Sequence, residues 1–323
     1  MRTSSAIPSL FVAALVGLAP AAQADDFPSR PISIVVPFGA GSGSDITARF
    51  YAQALKETLG ATGVVQLKPG AAGMIGALSV ARAAPDGYTI LVGSGTVNAA
   101  NYALYRDQIE YSPQDFDTVA TLMVTPPVLL ANDKLPGATI DEILQQAKDS
   151  GTQLDCGSGN AVTQVACDLL GAKTGVPMVN IPYKGNAQTL TDLSSGQITL
   201  AFSDMAAAAP FVARGQARPV AVPMIGRLPT LPNVPTFEEQ GIEDFEFLSW
   251  GALFVPAGTP QHIIEKLNAA ARHMLASPSW EQQRKLGAGL LIDGDLETSA
   301  TFVRDEQVRW ERYGQQSGIK GSM

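Results

Sequence analysis

The sequence predicts an α/β molecule of two lobes, each a mainly parallel sheet flanked by helices, with a ligand cleft between them. Three observations carry that prediction. Short β-branched apolar runs alternate with amphipathic helical stretches, the pattern of βαβ units. Two Pro-rich crossings, at Pro126-Pro127 and over Pro223 to Pro235, interrupt the alternation. The length of 323 residues exceeds one average domain and suits two, each large enough to bury its own core.

The elements follow in order. Ile32 to Phe38 (ISIVVPF) is a continuous β-branched run, as expected of a strand buried on both faces. Asp45 to Leu59 carries Ile46, Phe50, Ala54 and Leu55 on one stripe, an amphipathic helix. Val64 to Leu67 is the next strand, Gly70 to Gly73 a glycine-rich turn, and Ile75 to Ala84 a helix stopped by Pro85. Tyr88 to Val92 is a strand that runs into a Gly/Ser loop and a further helical stretch. Val119 to Ala131 holds two apolar runs around the Pro pair, so the chain turns or passes between sheets there. The pattern then repeats: helix Ile140 to Lys148, strand Leu154 to Cys156, helix Val162 to Ala172 and strand Val179 to Ile181. Helix Ala187 to Ser194, strand Leu200 to Ser203, helix Ala206 to Arg214 and strand Arg218 to Val222 complete the second unit. After the Pro-rich return, Trp250 to Val255 is a strand, and Pro260 to Ala276, Ser279 to Leu286 and Leu296 to Gln316 are helices. The expected division places 25–125 with 248–323 in the first lobe and 126–247 in the second.

Met1 to Ala24 reads as a secretory signal. Arg2 supplies the positive start, Leu10 to Leu18 the apolar stretch, and Ala22-Gln23-Ala24 the small-x-small cleavage site. The expected location is the periplasm. In that oxidising space Cys156, at a strand end, and Cys167, in the following helix, either pair as a disulfide or stay as two buried thiols; their spacing does not choose.

Composition excludes several classes. The net charge of −8, from 22 Lys+Arg against 30 Asp+Glu, argues against a nucleic-acid binder, which needs a basic face. Two His and two Cys do not make a closed four-ligand zinc site without carboxylates. Past the signal, no apolar stretch approaches the ~20 residues of a membrane-spanning helix. Gly39-Ala40-Gly41-Ser42-Gly43-Ser44 lacks the third glycine of a dinucleotide fingerprint, because Ser44 stands in its place. There is no phosphate-binding loop of the Walker type and no nucleophile elbow. His262 and His273, on one predicted helix, read as surface residues. No catalytic residue, metal ligand or cofactor is expected.

One unit recurs. A strand runs into Gly39-Ala40-Gly41-Ser42-Gly43-Ser44-Asp45, another into Gly93-Ser94-Gly95-Thr96, and a third into Gly157-Ser158-Gly159-Asn160-Ala161-Val162-Thr163, each followed by a helix. Bare N–H groups and small hydroxyls at a helix start can hold an anion. None of the three contains Lys or Arg, so a carboxylate would be held by dipoles and hydrogen bonds alone. Each loop reads equally as an ordinary capped turn. Asp204 stands at the carboxyl end of the strand Leu200 to Ser203, where ligands of α/β folds bind, and is also a good N-cap for the next helix. Phe38 and Tyr183, the latter in Tyr183-Lys184-Gly185, are candidate pocket walls.

A set of segments completes the reading. Phe27-Pro28-Ser29-Arg30-Pro31-Ile32 precedes Val35-Val36-Pro37-Phe38 and the first Gly-rich loop. Lys68-Pro69-Gly70-Ala71-Ala72-Gly73, Ala84-Pro85-Asp86-Gly87-Tyr88-Thr89, Pro182-Tyr183-Lys184-Gly185 and Pro256-Ala257-Gly258-Thr259-Pro260 follow. In this order they resemble the substrate-binding proteins of tripartite tricarboxylate transporters, the Bug or TctC-like family. The resemblance implies a two-lobed periplasmic binding protein, here expected as a monomer. Its implied ligand is a small organic carboxylate, a di- or tricarboxylate or an aromatic acid such as terephthalate, and its implied partners are membrane permease subunits of that transporter type. The candidate ligand residues are Phe38, Gly39, Ala40, Gly41, Ser42 and Ser44 in the first loop, and Ser94 and Gly95 in the second. Ser158, Gly159, Asn160 and Thr163 in the third loop complete the set with Asp204. Gly39 replaces the family's common Pro, Ser42 and Ser44 stand in its Gly/Thr tract, and Ser203-Asp204 replaces an Asp-Asn ending, so no relative's ligand transfers directly. A sensor subunit serving a signalling receptor and an exported enzyme are the competing readings; the enzyme lacks a Ser/His/Asp or metal constellation.

Overall fold

The computed structural model describes residues 27–183, 185–286, 289–290 and 293–317. The expected signal at 1–24 and Lys184 lie outside the described residues.

The chain forms two five-stranded sheets. In the first, β2 (Gly63–Leu67), β1 (Ile32–Val36), β3 (Thr89–Ser94), β10 (Ser249–Pro256) and β4 (Phe116–Thr125) lie in that order. In the second the order is β7 (Met178–Pro182), β6 (Leu154–Ser158), β8 (Leu200–Ser203), β5 (Val128–Asn132) and β9 (Ala217–Ala221). β1 is parallel to β2 and β3, and β6 to β7 and β8.

Each sheet nevertheless has one reversed strand: β10 is antiparallel to β3 and β4, and β5 to β8 and β9. The connections explain this. β5 and β10 are the first strands after the two crossings, so each starts at the cleft, where its neighbours end. The register shows it: Ser249 opens β10 opposite Thr125, the last residue of β4, and Val128 opens β5 opposite Ser203, the last of β8. The two crossings are therefore neighbours.

Helices cover both faces: α1 (Gly43–Leu59), α2 (Met74–Ala81), α3 (Asn101–Leu104), α4 (Ile140–Ser150), α5 (Ala161–Thr174), α6 (Asn186–Ser195), α7 (Met205–Ala213), α8 (Gln261–Leu275), α9 (Pro278–Leu286) and α10 (Leu296–Ser317). α1 starts earlier than the expected Asp45 because Ser42 is its cap. α2 ends at Ala81 rather than Ala84, since the residue before Pro85 is pushed out of helical geometry. β6 runs past Cys156 to Ser158, so Gly157 and Ser158 belong to the sheet.

Strand alternation sorts the core. Ile32, Ile34 and Val36 pack on one face with Tyr51 and Leu55 of α1 and Leu267 and Ala271 of α8, while Val35 and Leu91 face Ala77 and Val80 of α2. In the second lobe Leu129, Cys156 and Phe202 meet Val165, Leu169 and Leu170 of α5, and Val128, Leu130 and Ala201 meet Leu190 and Leu193 of α6. Each fully buried large side chain contributes about 1.5–3 kcal/mol. Cys156 and Cys167 are joined by a disulfide with Cα atoms 5.8 Å apart, tying β6 to α5.

α10 touches both lobes, packing on β4 and α3 in the first and on α5 in the second. Its Tyr313 stacks on Phe247, centroids 4.5 Å apart, and donates its hydroxyl proton to the Glu246 carbonyl. The return crossing is thereby fastened to the last helix.

Candidate functional site

A cleft of about 500 Å³ opens where the strands of both sheets end. Phe38, Ser42, Gly43, Ser44, Ser94 and Gly95 line it from the first lobe, and Ser158, Gly159, Asn160, Ala161 and Tyr183 from the second. No described lining residue is formally charged. A second cavity of about 350 Å³, between the return crossing and α10, differs in kind: Glu238, Asp244, Glu246, Arg309 and Arg312 line it.

At the first loop four N–H donors are already engaged. Gly41 N–H donates to Asp45 Oδ2 (2.9 Å), Ser42 N–H to Gly39 O (3.3 Å), Asp45 N–H to Ser42 Oγ (3.2 Å) and Ile46 N–H to Ser42 O (3.0 Å). The N–H groups of Gly43 and Ser44 are left without a partner among the described residues, and both residues line the cleft. Asp45 is buried, and the Gly41 N–H, with Arg49 3.0 Å away, holds its carboxyl below the usual range.

The α5 start repeats this economy. Asn160 Oδ1 accepts from Thr163 N–H (3.0 Å), and Thr163 Oγ1 accepts from the N–H groups of Gly159 (3.0 Å) and Asn160 (3.1 Å). The N–H groups of Ala161 and Val162 remain open, again beside the cleft. The two helix starts thus present paired donors to one neutral space.

Two glycines are required by close approach. A Cβ on Gly95 would meet Trp250 Nε1 at 3.0 Å, and one on Gly159 would meet Asn186 Oδ1 at 2.3 Å and its backbone N at 2.7 Å. Gly39, Gly41 and Gly43 have nothing within 4 Å of such an atom.

Of the expected ligand residues, Phe38, Ser42, Ser44, Ser94, Gly95, Ser158, Gly159 and Asn160 line the cleft. Gly39, Ala40 and Gly41 stand on the exposed outer turn instead. Thr163 is buried and holds its own loop rather than forming the wall. Asp204 caps α7: Oδ1 accepts from Ala207 N–H (2.9 Å) and Oδ2 from Asn186 Nδ2, so both oxygens are engaged. Among the described residues no cluster of His, Cys, Asp or Glu could hold a metal ion.

Trp250, Ser249, Tyr105, Ala72 and Gln164 also line the cleft and were not singled out from the sequence. A strand entering from the far lobe starts at the cleft, and that topological signal points to Ser249 and Trp250. Ala72, with φ of +52° beside Ala71 at +47°, sits in a conformation alanine rarely adopts, a form of strain that concentrates at functional sites. Trp250 turns its N–H away from the cleft, donating to Glu306 Oε2 at 3.1 Å, and Arg309 Nη1 donates to Glu306 Oε1 at 2.8 Å. Burial pushes the Glu306 carboxyl up to about 7 against the pull of Arg309.

Residues 47–319 match the family described as the tripartite tricarboxylate transporter family receptor, TctC. The chain belongs to this family. The chain is 30% identical to protein BugT of Bordetella pertussis, over 98% of this chain and 97% of that protein. Among solved structures, Rpa4515 of R. palustris, described with adipate, is 31% identical, with a TM-score of 0.79 covering 91% of this chain and 99% of that one. MatC from Rhodopseudomonas palustris, described with bound malate, is 30% identical, with a TM-score of 0.77 over 89% of this chain and 100% of that one. The family and the fold are those of substrate-binding proteins.

Proposed function

We propose that this family member captures a small organic carboxylate in the periplasm, as a monomer, and delivers it to membrane permease subunits of the tripartite tricarboxylate type. The observation that carries the reading is the pair of open N–H groups on each side of one uncharged cleft, Gly43 with Ser44 and Ala161 with Val162. One carboxylate at one exposed helix terminus gains about 0.3–1 kcal/mol. Micromolar uptake needs about −8 kcal/mol. Both helix starts must therefore act together on a ligand from which water is excluded. A ligand with two acidic ends uses both best, and the adipate and malate of the two R. palustris relatives support that class.

Residues 25–125 with 248–323 would then move against 126–247, bending where the crossings lie side by side. The test is calorimetry and thermal shift with succinate, malate, adipate and terephthalate against their amides. At least one acid should bind and raise Tm while its amide does neither. Equal binding of acid and amide would sink the carboxylate reading.

A further inference from the structure

Ser158 lines the cleft, but its hydroxyl proton is already committed. Ser158 Oγ donates to Asn180 Oδ1 at 2.7 Å. Asn180 cannot turn its amide to return a donor, because its Nδ2 group donates to the Gln164 carbonyl and to Asp168 Oδ2, both at 3.2 Å. A backbone carbonyl only accepts, so a turned amide would set oxygen against oxygen whatever the charge on Asp168. Ser158 is 2% exposed, which leaves its hydroxyl little freedom to leave Asn180. Toward a ligand, then, Ser158 offers lone pairs and no proton. Ser94 is the opposite case: its Oγ accepts from Val97 N–H at 3.4 Å and keeps its own proton for a ligand.

We propose that Ser158, oriented through Asn180 and Asp168, selects carboxylates that carry a hydroxyl or amino donor over bare diacids of the same length. The inference rests on the carboxylate reading above and narrows it. A carboxylate oxygen placed at Ser158 meets lone pairs, whereas a ligand O–H or N–H completes a bond. A site built around a committed hydrogen-bonding group rejects an analogue that lacks the complement more strongly than an apolar pocket does. Ser158 is the contact; Asn180 and Asp168 are positioning residues.

The experiment is calorimetry on the whole protein with matched pairs: succinate and malate, succinate and aspartate, glutarate and 2-hydroxyglutarate, adipate and 2-hydroxyadipate. At the chain length that binds best, the donor-bearing member should bind about tenfold tighter. In Asn180→Val the Ser158 proton is free to face the ligand, and the ratio should fall to about one as the bare diacid gains. Ser158→Ala should give the same levelling and decides the matter if Asn180→Val does not fold. A merely structural Asn180 would weaken both members alike and preserve the ratio. That result, or equal binding of the pair by the unaltered protein, overturns the selection by Ser158 and leaves the carboxylate reading intact. Failure of every pair to bind overturns the selection by Ser158, and terephthalate against its amide then decides the carboxylate reading separately.

Discussion

Gly159 has no room for a methyl group, since Asn186 stands 2.3 Å from where its Cβ would be. Gly159→Ala should therefore push the α6 start away from the cleft. Overpacking of this kind costs about 1–3 kcal/mol. Affinity for the bound acid should fall about tenfold or more, beyond what the lowered Tm accounts for. Gly43→Ala, with nothing within 4 Å, is the matching control and should melt like the parent. Equal affinity of the parent and Gly159→Ala in calorimetry would remove that loop from the site. Glu306 yields a pH prediction. Its carboxyl sits at about 7 in the folded chain against an ordinary 4.5, so the native state keeps the proton that the unfolded chain gives up. Stability is then full below pH 4.5, falls as pH rises to 7, and is level above. At about 1.4 kcal/mol per pH unit, the loss approaches about 3 kcal/mol. Glu306→Gln should flatten that slope in urea titrations, and a parallel pair of pH profiles would refute it. Ser42 and Asn160 were legible from sequence as members of Gly/Ser loops ahead of a helix, a local pattern, while their capping bonds emerged only from the structure. Trp250 was not, because its place depends on strand direction, and Thr163 looked like wall because its hydroxyl's partners lie three and four residues back.

At the scale of elements, the disulfide holds the third loop from both ends. It joins β6, which leads into the loop, to α5, which leaves it, across a separation of 11 residues. Closing a loop of this size is worth about 2–4 kcal/mol. Replacing both cysteines by alanine should lower the unfolding free energy by about that amount in denaturant titration. It should also weaken ligand binding, since residues 157–163 lose their anchor; an unchanged affinity would show that capping alone shapes the loop. Spacing left the pairing open because sequence does not say how close a strand end comes to its own helix. The same limit applied to the sheets. Their strands and helices were readable from periodicity, yet the reversal of β5 and β10 was not, because it follows from which lobe the chain is arriving from. Both Pro-rich crossings were visible in composition, while their adjacency emerged only from the pairing of Thr125 with Ser249.

For the whole molecule, the proposed closure would bend the two adjacent crossings together, and the donors on opposite walls give it a reason to occur. Small-angle scattering should show a smaller radius of gyration at saturating ligand; identical curves would leave the lobes fixed and the cleft preformed. α10 complicates a free swing, since Tyr313 grips the crossing at Glu246 and Phe247. Tyr313→Ala should loosen that grip and slow or weaken closure. The place of β10 has a consequence for how such a chain comes to be folded at all. β10 alone bridges β3 and β4, so β4 stays apart from the β2-β1-β3 strands until residues 249–256 arrive, whereas the second sheet is complete at Ala221. The middle of the chain can condense early while the beginning waits with two unpaired strand edges, the kind of surface that recruits other chains. Pulse-labelled hydrogen exchange during refolding should protect β5 to β9 before β4, and chains truncated before Ser249 should aggregate through the open seam.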